Sequence, residues 1–349
     1  MEEIQNKDLK QKMGQWFLRF SDQVSGSPMY RYLSIQVSAD DQCLALACGS
    51  EPSQPAPNLF FAAVHFLLEK NRHESLAKYY PSLGGGFEST PEMFECFKGF
   101  CQKFEFEILE ILKTKLVQTN EVQRCAVLWP ALKLVGQMAK QSNVALIDVG
   151  TSGGLSFLMD KAHLTYSDGA KDGPEDSPLR LHCESRGGTV PTLTSVNVKS
   201  RIGIDLNPVD LLSENEKAWN LALIWPDQLD RRQRIENALQ LLKTTAIDFQ
   251  RGAANQVLPS LSSKIPNDQL LCVLHSFSLN QFSSDDRVGF DKVLETASLK
   301  REIWRIGLEW LGTKSPELVI SKYGGGQRVL IQKIAECGGH GEWIHWQPS

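Results

Sequence analysis

The chain has 349 residues, 42% of them hydrophobic and 22% charged, which is length enough for about two domains with separate cores. A formal net charge of −4, with Lys and Arg scattered along the sequence, excludes an extended nucleic-acid surface. Eight cysteines (43, 48, 96, 101, 125, 183, 272 and 337) form no Cys-x-x-Cys pair and no zinc-like spacing, so they read as free thiols with no structural metal.

The charged start, Met1-Glu-Glu-Ile-Gln-Asn-Lys-Asp8, lacks the apolar segment of a signal peptide. The longest apolar run, Leu59 to Leu68, is too short to span a bilayer and contains His65. A cytoplasmic protein without membrane contact is expected. Residues 1–140 read as a helical domain. Leu59–Leu68 is apolar on every side and reads as a buried helix, with His65 structural. Met93, Phe97, Phe100, Phe104, Ile108 and Ile111 recur at helical steps behind Thr90-Pro91, a helix start. Gln118-Thr-Asn-Glu121 precedes a further helix. Asn120 reads there either as a cap or as a cleft residue, and Glu121 is the candidate acidic residue of a pocket.

From residue 143 the period changes. Strands are expected at Val144–Val149, Arg201–Asp205, Ala246–Gln250, Leu270–His275, Ile303–Trp310, Glu317–Tyr323 and Glu342–Trp346. Helices fit at Gly154–Lys161, Val209–Leu221, Gln228–Thr244 and Asp286–Ala297. The alternation predicts a doubly wound α/β domain over residues 141–349, with a mostly parallel, Rossmann-like sheet of seven strands and an antiparallel edge added by a terminal hairpin through Tyr323-Gly-Gly-Gly326 and Cys337-Gly-Gly-His340. Residues 163–200 break the rhythm and read as a β-rich insertion over the ligand edge.

The most informative stretch is Asp148-Val-Gly150-Thr-Ser152-Gly153-Gly154, an acidic strand end running into a glycine-rich turn and an expected helix N-terminus. It resembles the first motif of S-adenosylmethionine-dependent methyltransferases, and Arg201-Ile-Gly-Ile-Asp205-Leu-Asn207-Pro208 resembles the second. That resemblance implies that Asp148, Gly150, Thr151, Ser152 and Gly153 line the cofactor, that Asp205 grips its ribose, and that Asn207 stands beside it. Serine replaces the usual glycine at Ser152, and Ala253 stands where an acidic adenine contact is usual.

The chain also resembles, nearly end to end, a bacterial family catalogued only as a domain of unknown function. The signatures are Gly26-Ser-Pro-Met-Tyr30, Leu76-Ala-Lys-Tyr-Tyr-Pro81, Gln118-Thr-Asn-Glu-Val122, Gly150-Thr-Ser-Gly-Gly-Leu155, Gly203-Ile-Asp-Leu-Asn-Pro208, Trp225-Pro-Asp-Gln228 and His340-Gly-Glu-Trp343. It implies a helical N-terminal part on a methyltransferase-like domain.

Gly150-Thr-Ser152-Gly-Gly154 also spells Gly-x-Ser-x-Gly, a hydrolase elbow, with Asp205 or Asp248 and His275 or His340 in the chain order a triad needs. Ser152 and Thr151 also read as caps of the helix expected to begin at Gly153 or Gly154, a role compatible with ligand binding nearby. His275 ends a buried strand on the carboxyl edge and is the candidate general base, with satisfied core packing as its alternative. Methyl transfer from S-adenosylmethionine to a small-molecule acceptor is the leading expectation. A serine hydrolase and a non-catalytic binding protein are the alternatives.

Overall fold

The structure is a computed structural model that describes residues 2–24 and 26–347. Contacts divide the chain into two compact units, the described residues of Met1–Thr119 with Ser213–Gln233, and those of Asn120–Leu212 with Arg234–Ser349.

The first unit is helical: α1 (Glu2–Gln23), α2 (Pro28–Ser38), α3 (Asp41–Ala47), α4 (Ala56–Lys70), α5 (Pro91–Lys103) and α6 (Glu105–Thr114). Side-chain caps start α2 and α5, where Ser27 Oγ accepts from Tyr30 N at 3.1 Å and Thr90 Oγ1 from Met93 N at 3.2 Å. No side-chain cap holds α4; its residues from Ala56 to Leu68 are buried except Asn58, so packing alone fixes it. Phe61 stacks on Tyr30 with ring centroids 4.6 Å apart and meets Phe17 and Phe97 edge to face. Truncating Phe61 to Ala would cost about 3–5 kcal/mol. His65 is a core residue, its Nδ1 3.1 Å from Ala222 O and its Nε2 2.8 Å from Ser82 Oγ, and burial pushes its pKa down to about 4.

The second unit opens with α7 (Cys125–Ala139) and β1 (Asn143–Val149), followed by β2 (His163–Tyr166), β3 (Lys171–Asp172), β4 (Arg180–Ser185) and β5 (Asn197–Asp205). The chain then contributes α8 (Glu214–Ala222) to the helical unit, and the division falls within α9 (Leu229–Leu242). The rest is β6 (Asp248–Arg251), α10 (Ala254–Ser262), β7 (Leu270–Ser276), α11 (Ser284–Ala297), β8 (Ile303–Glu309), β9 (Glu317–Gly324), β10 (Gln327–Cys337) and β11 (Trp343–Trp346).

The expected seven-strand, mostly parallel Rossmann-like sheet is not what forms. One mixed sheet of eleven strands runs β3-β2-β4-β11-β10-β9-β8-β7-β1-β5-β6. Strands β6, β5, β1, β7 and β8 are parallel, β8 through β11 alternate antiparallel, and β4 returns parallel to β11. Two features hide the extra strands. The first half of β10 is solvent-facing, with Val329 51% and Ile331 60% exposed, so no buried pattern marks it. The 163–200 segment holds only short strands, and it extends the sheet edge through Trp343↔Glu184 and Ile344↔Ser185 rather than lying over it.

Along β1, Ala145, Ile147 and Val149 pack with α10 and α11 through Leu258, Phe290 and Leu294. Side chains alternate across a strand, so Val144, Leu146 and Asp148 face the opposite side. The parallel order reverses at β1, and its carboxyl end is therefore where an open sheet forms a ligand crevice.

Candidate functional site

The glycine turn follows β1 with Gly150 (φ 76°), Ser152 (φ 48°) and Gly154 (φ 76°) all left-handed. At Gly150 a side chain would also collide with Ser278 Oγ, so only glycine fits there. The helix expected at Gly154–Lys161 is a single 3-10 turn, Leu155–Leu158, after which the chain enters β2. Arg201 intercepts it there by donating to Phe157 O at 3.2 Å and pairing with Asp160. No full helix dipole therefore stands behind the turn.

The backbone N–H groups of the turn are all engaged. Gly150 and Thr151 donate to Ile204 O, Ser152 to Asp205 Oδ2 at 2.8 Å, Gly153 to Asn120 Oδ1 at 3.1 Å, and Gly154 to Thr151 O. Asp205 Oδ1 also accepts from Asn207 N at 2.8 Å. Asn120 Nδ2 and Ser152 Oγ, side-chain donors beside the turn, lack a hydrogen-bond partner and are sealed from solvent, while the buried Thr151 hydroxyl interacts with Asp148. Asp148, 4% exposed, is bonded to the Ser156 hydroxyl. Burial raises its pKa to about 7, with Asp205 adding to the rise and Ser156 opposing it.

Register places Asp148, Gly203 and Asp205 on one face with Phe249 and Arg251 of β6. Asp205 is half-buried, while Leu206 beside it is 64% exposed and Phe249 38% exposed. A fixed carboxylate thus shares its face of the sheet with an open aromatic ring, and the residue after it is an open aliphatic. Sequence reading did not single out Leu206 or Phe249; the signal was an apolar residue directly after the strand-end acid.

Glu121 lies beside Asn120 and caps the 3-10 turn Val122–Arg124, its Oε1 accepting from Gln123 N at 3.0 Å. Its Oε2 lies 4.0 Å from His340 Nδ1. Arg124 lies over the Phe277 ring at 4.2 Å and donates to Gly339 O at 3.1 Å. Phe277 is itself left-handed at φ 54°.

His275 is elsewhere. It pairs with Val149 in register and so faces α11, where it meets Phe290 edge-on, on the side of the sheet opposite Asp148. Its Nδ1–H donates to Glu309 Oε1 at 2.8 Å, and burial holds its pKa below the ordinary value, which leaves it neutral. The same carboxylate oxygen accepts from Ser278 N at 3.0 Å and Leu279 N at 3.1 Å. Burial alone would raise the Glu309 pKa, but these hydrogen bonds outweigh it and hold it below the usual range. The structure therefore brings Asp148, Gly150–Gly153, Asp205, Asn207, Asn120 and Glu121 together and leaves His275 on the other face. Glu309 went unread, although an acid closing an apolar strand was its signal.

Among the described residues, no hydrogen bond joins Ser152 to a histidine, and no group of three or more His, Cys, Asp or Glu could hold a metal ion. No described helix is long and apolar enough to cross a membrane. Residues 15–346 match the family described as "uncharacterized protein conserved in bacteria" (DUF2332). The chain belongs to that family. No curated protein and no solved structure matches it. Membership brings no activity with it, so the chemistry of this family member has to be argued from the site.

Proposed function

We propose that this protein binds S-adenosylmethionine at the carboxyl edge of β1 and acts as a methyltransferase on a small-molecule acceptor. The observation that carries the reading is Asp205, fixed by two backbone N–H groups on the face that carries the open ring of Phe249, with exposed Leu206 next in the chain. A strand-end carboxylate accepts both hydroxyls of a ribose, and flanking apolar surfaces suit an adenine. The donor set fits the polar end of such a ligand less directly. The turn's backbone N–H groups are engaged, so Asn120 Nδ2 and Ser152 Oγ are the donors for its carboxylate, reached when the turn opens.

The bound cofactor would supply an electrophilic methyl group, and this chain's part is alignment and proton removal. Glu121, adjoining Asn120 and facing His340, takes the acceptor proton in this reading. His275 acts as a positioning residue that ties the loop after β7 to Glu309.

The engaged turn favours a second reading, a binding protein that takes some other ligand at this edge. Calorimetric titration with S-adenosylmethionine and S-adenosylhomocysteine separates the two. Micromolar binding that is lost in Asp205→Ala supports methyl transfer. A folded protein that binds neither compound removes it.

A further inference from the structure

The amino end of β5 borders an open, mostly polar cavity of about 530 Å³ in the sheet unit. It lies at the opposite end of β5 from Asp205, about 26 Å away along the strand at about 3.3 Å per residue. It is thus separate from the carboxyl-edge site.

Its chemistry follows from its walls. Asp160 and Asp172 line it, and each already faces a cation, the largely covered Arg201 and the buried Lys133 respectively. A metal ion or an amine therefore meets carboxylates whose charge is already matched, and an anion meets two carboxylates. What the walls do offer is hydrogen bonding in both senses. The two carboxylates accept, while the exposed Ser195, Asn197 and Lys199 donate. Between these groups lie the apolar flanks of Pro174 and Val198.

The walls are also built in place. Gly173 is left-handed at φ 77°, and a side chain there would collide with Ala162 O. Its N–H donates to Asp172 Oδ1 at 2.8 Å. Two buried polar atoms of lining residues have no partner, Trp129 Nε1 and Asp160 Oδ1. Asp160 keeps 19% of its side chain accessible, so a small rotation of the carboxylate presents Oδ1 to the cavity.

We propose that this cavity binds an uncharged polyhydroxylated ring, a monosaccharide or cyclitol, whose hydroxyls both donate to the carboxylates and accept from the rim while its C–H faces rest on Pro174 and Val198. Each hydroxyl both gives and takes a hydrogen bond, which is what interleaved donors and acceptors require.

Saturation-transfer NMR and calorimetry with D-glucose, D-ribose and myo-inositol test it on the full-length chain. At least one is expected to bind with Kd of about 1 mM or tighter. Ser195→Trp, which fills the mouth from an exposed position, is expected to weaken binding at least tenfold. Asn197→Ala, also exposed, is expected to weaken it several-fold, and Asp205→Ala to leave it unchanged. Absence of binding for all three compounds at about 10 mM overturns the proposal. So does binding that survives Ser195→Trp in a variant with parental circular dichroism.

Discussion

Asp205 reaches from the end of β5 to the turn after β1, its Oδ2 2.8 Å from the backbone nitrogen of Ser152. One carboxylate thus fixes the glycine turn and offers its remaining lone pairs outward beside Phe249. Asp205→Asn keeps an oxygen for the turn but loses the charge. The charge-assisted bonds at stake are worth about 1.5–3 kcal/mol, so S-adenosylmethionine binding should weaken by at least tenfold. Stability should fall by less than about 2 kcal/mol. Calorimetry and urea unfolding of the same sample check both; unchanged affinity removes Asp205 from the site.

Asp148 carries a pH signature. Its pKa is raised to about 7 in the folded protein by burial, against about 3.9 in an unfolded chain. Between these values the folded state holds the extra proton, so this group's contribution to stability falls as pH rises from about 4 to about 7 and is flat above. Asp148→Asn removes the dependence. Between pH 5 and pH 7 two units separate the states, so the variant should gain about 2–3 kcal/mol on its parent, measured by urea unfolding. A pH-independent difference would mean that Asp148 is ionised in the folded state.

Legibility along this chain tracked burial. The strands Val144–Val149 and Leu270–His275 are continuous apolar runs, and they appear as β1 and β7 within a residue of the expected bounds. Lys171–Asp172 has two residues and β4 alternates exposed with buried, so neither leaves an apolar run to read. The missing helix after Gly154 has a long-range cause, since Arg201 of β5 holds Phe157 and Asp160. No pattern local to residues 154–161 contains that. His275 was visible as a strand-end histidine, but which face it took depended on Phe290 and Glu309, distant in sequence.

Glu309 gathers three donors on one oxygen, from His275, Ser278 and Leu279. Removing it in Glu309→Ala should cost about 3 kcal/mol, at about 1 kcal/mol for each hydrogen bond. Glu309→Gln keeps the acceptor oxygen and should recover most of that. The pH signs agree with each other. His275, held below its ordinary value by burial, and Glu309, held below its own by those hydrogen bonds, both make the folded state lose stability as pH falls through their unfolded values. Unfolding curves at pH 4, 5.5 and 7 check this; a Glu309→Ala loss below about 1 kcal/mol would show that the loop is anchored elsewhere.

Ser152 separates the readings of the turn, because its backbone and its hydroxyl pull in opposite directions. A left-handed φ of 48° costs a non-glycine residue about 1–2 kcal/mol, and the hydroxyl is buried without a partner. Glycine at 152 relieves both, against about 0.5–1 kcal/mol of added disorder in the unfolded chain, for a net gain of at least about 1 kcal/mol. For a unit of this size that is a rise in Tm of at least about 2–4 °C. If the hydroxyl serves the ligand's carboxylate, the same Ser152→Gly change weakens S-adenosylmethionine binding about tenfold, the worth of one hydrogen bond to a charged group. A nucleophilic serine would instead react with a fluorophosphonate probe, and with no histidine bonded to it Ser152 should remain unlabelled. A more stable protein with weakened binding and no label is the expected combination. Labelling at Ser152 would restore the hydrolase, and unchanged affinity would reduce Ser152 to a backbone hinge of the turn.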